Sequence, residues 1–356
     1  MTDVTCDCLK LGNSAWRMTS FTPIHLIGLC LFLQVLLQAM ESSTTNLVES
    51  KSIASSSAAN DSAVGYRKPS GEIVNIVDSS PTPALSVSPD RRNVLLLHRP
   101  NLPSVSLLAR QELKLGGIRV DPEKFCRSRM TSYTSFGISN ISENGELGPE
   151  KAMSGLPEGG YNFVSWSPDG KHIAFALNPD AKADGDSSFL SLWIVEISSL
   201  KARPVLDSKT WLGLNTIFDE YAWLDNSTLI AFTIPESRRE LEPPVKSSTP
   251  KGPKIQKNKK GRVSQYRTNP DLLKDEHDAD LFEYYATSQM LKISINGGTT
   301  QVSKIGTERI YTSAYPSPDG RYLLVDYIER PFSYTLTCGR FPQKIEARNS
   351  KIFGDI

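Results

Sequence analysis

The chain has 356 residues, 39% of them hydrophobic, and carries 40 basic against 39 acidic side chains for a formal charge of +1. That balance argues against general polyanion binding, and the length admits two or three domains or one large repeat domain. The five cysteines (Cys6, Cys8, Cys30, Cys126 and Cys338) show no zinc-ligand spacing, so no metal or other cofactor is expected and the thiols read as isolated core residues.

Residues 1–65 read as a mostly disordered targeting or linker segment. Residues 24–39 are largely apolar, and no formal charge occurs from Met18 through Met40. The stretch is short for a membrane span and is interrupted by His25, Gln34 and Gln38. With Lys10 and Arg17 before it, it resembles a signal-peptide core or a weak anchor. Ser42 to Ala63 is Ser-rich, as in a transit peptide or flexible linker, although Asp3, Asp7, Glu41 and Glu49 are unusual in an organelle address.

From residue 66 onward a phrase recurs: an apolar stretch, a Ser-Pro-Asp-Gly turn or a variant, then a second apolar run. It stands as Ser88-Pro89-Asp90-Arg91 before Val94-Leu95-Leu96, and as Ser167-Pro168-Asp169-Gly170 before Ile173-Ala174-Phe175. It returns as Leu224-Asp225-Asn226-Ser227 before Ile230-Ala231-Phe232, and as Ser317-Pro318-Asp319-Gly320 before Leu323-Leu324-Val325. Proline presets φ for the second position of a type I turn, and glycine takes the end where φ is often positive. Short apolar runs bounded by such turns read as strands buried on both faces. Each copy is thus a tight antiparallel hairpin. Trp166 and Trp223 stand one residue before the turn, where a large ring fills space between stacked sheets.

Further strands follow each hairpin. Leu190 to Ile197 is rich in β formers, and Ser198 to Lys201 turns into Ala202 to Leu206. Met290 to Ile295 leads through Asn296-Gly297-Gly298 into Thr299 to Val302. Two hairpins make a four-stranded blade. The predicted fold is therefore all-β: a partial β-propeller of about three to four blades of four-stranded antiparallel sheet over residues 66–356. A β-sandwich with coincidental turns is the alternative. Closed propellers use four to eight blades, so an incomplete ring is expected to expose apolar faces at its last blade and to be poorly soluble alone.

Residues 243–270 form a basic loop with eight Lys or Arg and no acid, followed by six acids between Asp271 and Glu283. Without interleaved aromatics it reads as a solvated loop, and no nucleic-acid partner is expected.

Several ordered strings resemble the plant chloroplast glutamyl endopeptidases, members of the prolyl oligopeptidase clan of serine peptidases. They are Tyr66-Arg-Lys-Pro69, Glu72-Ile73, Ile76-Val-Asp78, Pro81-Thr-Pro83, Leu107-Leu-Ala-Arg110, Leu115-Gly-Gly-Ile-Arg119, Arg127-Ser-Arg-Met130, Asp271 to Ser288, Arg330 to Tyr334 and Cys338 to Pro342. The resemblance covers about residues 66–346; Ala347 to Ile356 match poorly where a strand is expected to continue. It implies an N-terminal propeller followed by a C-terminal α/β-hydrolase domain, a place in the chloroplast stroma, peptide or unfolded-protein substrates, and cleavage after acidic residues. Residues 24–39 keep a secretory or membrane-tethered form as the alternative address.

No Gly-x-Ser-x-Gly nucleophile elbow occurs in the sequence. Ser248-Thr-Pro-Lys251 matches Ser-x-x-Lys without a partner motif, and His25, His98, His172 and His277 are scattered. No catalytic, cofactor-binding or metal-binding residue is assigned. Asn60, Asn140 and Asn226 head formal glycosylation sequons that matter only to a secreted chain. The expectation is a truncated serine-type endopeptidase carrying only the substrate-gating propeller, with the hydrolase domain absent and the chain inactive alone. A non-catalytic propeller fragment serving as a protein-binding scaffold is the alternative.

Overall fold

The computed structural model describes residues 68–179, 189–206, 210–246, 269–296 and 298–349. The expectations for residues 1–65, most of the basic loop, Ser248-x-x-Lys251, the Asn60 sequon and the last seven residues lie outside them. The chain divides into Met1–Lys68 and Pro69–Ile356, and every described residue except Lys68 belongs to the second unit.

After a short helix, α1 (Gly71–Val77), the first motif copy supplies β1 (Ala84–Val87) and β2 (Asn93–His98). A connection then holds α2 (Val105–Ala109) and a small sheet of β3 (Leu113–Leu115), β4 (Ile118–Asp121) and β5 (Cys126–Arg127). With β6 (Ser135–Asn140) and β7 (Lys151–Ala152) the first blade is complete, in the order β1-β2-β6-β7. β8 (Gly160–Trp166), β9 (His172–Asn178), β10 (Ser191–Glu196) and β11 (Lys201–Pro204) pair in sequence as the second blade. The third begins with β12 (Tyr221–Trp223) and β13 (Thr228–Thr233), passes through α3 (Glu276–Ala286), and continues with β14 (Ser288–Asn296) and β15 (Thr299–Pro316). β16 (Tyr322–Ile328) and β17 (Gln343–Asn349) follow.

The 18-residue β15 serves two blades. Its residues up to Arg309 pair with β14, and those from Ile310 onward pair with β16. The sequence placed the end of this strand at Val302. The next residues, Ser303 to Arg309, are mostly polar and carry no apolar run to mark a strand, so only their hydrogen-bonded neighbours reveal that the strand continues into the first arm of the fourth hairpin. β17 likewise continues the pairing through Ala347 to Asn349, where the family text fades.

Each blade packs on the next through one apolar layer. Leu95, Phe136 and Ile138 of the first meet Ile173, Phe175 and Val195 of the second. Ala174, Leu192 and Ile194 on the other face meet Leu229, Ala231, Leu291 and Ile293 of the third. Ile230, Phe232 and Met290 then meet Tyr311, Leu323, Val325 and Tyr327 of the fourth. β9 and β13 are therefore buried on both faces; Ile173 to Ala176 are 0% exposed. Full burial of one such large side chain contributes about 1.5–3 kcal/mol. The expectation of two-faced burial fails for β2 and β16. β16 alternates, with Leu323 and Val325 buried but Leu324 at 42% exposure, because no described sheet covers its second face.

The tryptophans sit between blades as expected. Trp166 Nε1 donates to Ser86 Oγ at 3.2 Å in the first blade, and Trp223 Nε1 to Ser165 Oγ at 3.2 Å in the second. The turns carry a further bond network. In the three Ser-Pro-Asp copies the serine hydroxyl donates to the Asp Oδ1 (2.6–2.7 Å) and accepts the amide of the residue opening the next strand (2.9 Å). The amides of Arg91, Gly170 and Gly320 close the turn onto the serine carbonyl. All three take positive φ, near 59°, 71° and 65°. These turns mark one end of the sheet stack. The long connections lie at the other.

Candidate functional site at the capped end

Connections from three blades converge at the end opposite the turns. α3 begins at Asp275, whose side chain accepts the Asp278 amide at 3.0 Å as an N-cap. Ala279, Phe282 and Ala286, spaced i, i+3, i+7, are buried along one face of α3. They join Leu115, Ile118, Val120 and Phe125 from the first connection, with Phe332, Cys338 and Phe341 from the segment between β16 and β17. Phe282 meets Phe332 and Phe341 edge-on at 5.2 and 5.5 Å.

Main-chain bonds fix the junction. Gly117 N donates to the Asp271 carbonyl and Cys338 N to that of Gly116, both at 2.7 Å. Glycine is required here: φ is 62° and 83°, and a Cβ on Gly117 would lie 2.5 Å from Thr337 Cγ2. Buried Asn215 donates through Nδ2 to the carbonyls of Tyr285 (2.8 Å) and Thr287 (2.9 Å), tying the end of α3 to the strand connection that precedes β12. Ion pairs rim the cap: Arg119 with Asp271 at 2.9 Å, and Arg330 with Asp280 and Glu283 at 2.6 Å each.

Two features at this end have chemical character. A cavity of about 320 Å³ is walled by Phe125, Phe189, Tyr284 and Tyr285. Arg238 lies at its edge, 4.5 Å over the Tyr284 ring, and donates to the Tyr284 carbonyl at 3.2 Å. Asp219 and Glu220 immediately precede β12. Burial, and secondarily Asp219, push the Glu220 carboxyl up to about 7. Burial also raises Asp219, whose Oδ2 accepts the Ala314 amide at 3.4 Å.

The three described histidines stand apart. His98 Nε2 lies 3.0 Å from Glu150 Oε1, His172 stacks on Trp223, and His277 is in the first turn of α3. Cys126 and Cys338 are buried and free; burial pushes the Cys126 thiol up to about 12, so it stays protonated near neutrality. Among the described residues no group of three or more His, Cys, Asp or Glu side chains is gathered for a metal, and no helix is long and apolar enough to cross a membrane.

Four of the strings that carried the family resemblance, Leu115 to Arg119, Asp271 to Ser288, Arg330 to Tyr334 and Cys338 to Pro342, supply residues to this cap. Over 284 residues the chain is 50% identical to a protein of Oryza sativa subsp. japonica described as "Probable glutamyl endopeptidase, chloroplastic", covering 80% of this chain and 30% of that one. An Arabidopsis thaliana protein of the same description is 48% identical over 283 residues, 79% of this chain and 29% of its own. The chain is a relative of the chloroplastic glutamyl endopeptidases. It spans about 30% of their length. No family model matches. Among solved structures, an acylaminoacyl peptidase of Pyrococcus horikoshii aligns with a TM-score of 0.38 at 13% identity, over 77% of this chain and 33% of that one.

Sequence reasoning missed α3, Asn215 and the Asp219–Glu220 pair in this glutamyl endopeptidase relative. The N-cap Asp275 followed by Ala279, Phe282 and Ala286 at helical spacing was a usable signal for the helix. Asn215 and the acid pair had none, since their roles depend on what folds over them.

Proposed function

We propose that this chain is the propeller portion of a chloroplast serine endopeptidase, lacks the catalytic triad itself, and limits access of peptides to a hydrolase domain carried by a longer polypeptide. The observation that carries this reading is the cap: strings that resemble the family assemble one cross-blade surface, in a chain 50% identical to the rice protein over 284 residues. Hydrolysis in this clan needs a serine on a strand-to-helix elbow, a histidine to take its proton, an aspartate to orient the ring and amides to hold the oxyanion. The sequence lacks the elbow. The outer face of the fourth blade supports the same reading: Tyr315, Leu324 and Ile345 are 60, 42 and 65% exposed, and in a longer polypeptide a following sheet covers them.

Two measurements test it. The purified 356-residue chain is expected to leave fluorogenic peptides with a cleavable glutamyl bond intact, and measurable hydrolysis would overturn the reading. Long-read transcripts of the locus are expected to continue in frame into a Gly-x-Ser-x-Gly followed by Asp and His. Their absence from every transcript would reject the peptidase assignment.

A further inference from the structure

The first and the fourth blade each leave one sheet face open among the described residues. On the fourth, the open face carries Tyr315, Leu324 and Ile345, all exposed. On the first, it carries Leu85 and Val87, which are 61 and 53% exposed. Alternate residues of a strand point to opposite faces, and cross-strand partners share one. Leu95 and Leu97 face the second blade, so Leu96, His98 and the Leu96 partner Leu85 lie on the open side.

The interior seams show what such faces fit. Two residues before its turn, the earlier blade offers Ser86 or Ser165; one residue before its own, the later blade offers Trp166 or Trp223, whose indole donates to that serine. The same positions on the open faces are Tyr315 of the fourth blade and Val87 of the first. Large and small side chains have changed places, so the two faces complement each other in volume. Farther along, Leu97, nine residues after its turn serine, shares a layer with Leu177, ten after its own. Asp326 and His98 hold these two positions on the open faces. Asp326 is half-buried, accepts the Ser313 hydroxyl at 3.1 Å and pairs with no cation among the described residues. The His98 ring bonds only through Nε2, to Glu150. Contact of the two faces thus sets an acid against a base on otherwise apolar ground.

One chain carries both partners of such a seam, yet both faces are exposed and do not meet each other. A second copy supplies the missing partner at each end. Head-to-tail contacts build a closed ring when the rotation between copies closes, and an open filament when it does not. Each copy brings four blades, so a pair stays within the four to eight of closed propellers. Closure also makes the second seam intramolecular, without a further association cost. We propose that two copies of this chain join head to tail, the fourth blade of each docking on the first blade of the other, to close one ring. This pairing belongs to the 356-residue chain by itself and does not depend on the peptidase reading.

Sedimentation velocity of the full chain and its variants tests the proposal. The unaltered chain is expected as monomer and dimer in equilibrium, with no larger species. Leu85→Lys with Val87→Lys charges only the first blade's open face, and Leu324→Glu with Ile345→Glu only the fourth's. Each double variant alone is expected to pair about a hundredfold or more weakly, because both seams then hold unpaired charges. Mixed in equal amounts, the two are expected to regain the dimer, one seam being unaltered and the other matching Lys with Glu. His98→Asp sets a like charge against Asp326 and is expected to weaken pairing about tenfold. The substituted side chains are exposed or half-buried, so circular dichroism of every variant is expected to match the parent. A chain that stays monomeric at every concentration would leave these faces to a different sheet and overturn the proposal. Open-ended growth would do the same, as would a mixture that stays monomeric or an unchanged affinity in His98→Asp. A first-blade variant that dimerises like the parent would show fourth blades meeting each other, and would also overturn it.

Discussion

Arg91, Gly170 and Gly320 do the same backbone work with different side chains, and the difference has a measurable consequence. A non-glycine residue in the left-handed region costs about 1–2 kcal/mol, and Arg91 sits there at φ 59°. Arg91→Gly is expected to stabilise the chain by roughly 0.5–1 kcal/mol, part of the relief being offset by the freedom glycine adds to the unfolded chain. Gly170→Ala is expected to destabilise by about 1–2 kcal/mol. Urea unfolding of both variants checks the pair, and a stabilised Gly170→Ala would contradict the turn assignment. Glu220 supplies a second residue-scale test. Burial raises its folded-state value to about 7 from 4.5, so the folded chain holds a proton that the unfolded chain releases. Stability from this group is present in full below about 4.5 and is lost as pH rises through about 7, the reverse of a salt-bridged carboxylate. The loss is on the order of 1 kcal/mol once partial exposure is allowed for. Glu220→Gln is expected to flatten stability across that window; an unchanged pH profile would show that the carboxyl is solvated.

At the scale of elements, what the sequence displayed depended on whether a signal was local. The hairpins were legible because proline, aspartate and glycine act within their own turn, and because β9 and β13 are apolar through their middles (Ile173 to Leu177 and Leu229 to Phe232). The small sheet β3 to β5 and the middle of β15 (Ser303 to Arg309) were not, since neither is stabilised by its own composition: each is held by segments distant in sequence. α3 lies between these cases. Its cap and apolar face are local, but its position comes from Phe332, Phe341 and the Gly116-Gly117 approach. Phe282, 1% exposed and meeting both rings, is therefore expected to dominate. Phe282→Ala should cost about 3–5 kcal/mol, against about 1 kcal/mol for loss of the N-cap in Asp275→Ala. Thermal unfolding of the two variants measures the ratio. Equal small losses would show that the cap packs loosely on the blades.

The described residues of the second unit form a row of sheets in which stability is shared between neighbours. Its interior blades are covered on both faces and its fourth is not. Tyr315 and Leu324 lie opposite one another across β15 and β16, with Ala347 beside Leu324 on β17, so the exposed side chains form one continuous surface. An apolar surface of this kind favours association with another sheet, including a second copy. The unaltered 356-residue chain is expected to sediment as a concentration-dependent mixture. Leu324→Lys with Ile345→Lys places two like charges on that surface, on the face of the sheet opposite the core layer of Leu323, Val325 and Tyr327. The double variant is expected to sediment as a monomer with only a modest fall in the unfolding midpoint, because both side chains are already partly exposed in the folded chain. Charges at these positions should also prevent docking of any following sheet, so the same pair placed in a longer polypeptide is expected to destabilise it. Sedimentation velocity on the short chain and thermal unfolding of the long one separate these effects. If the short chain is already a sharp monomer and the long one tolerates both lysines, the fourth blade needs no neighbour.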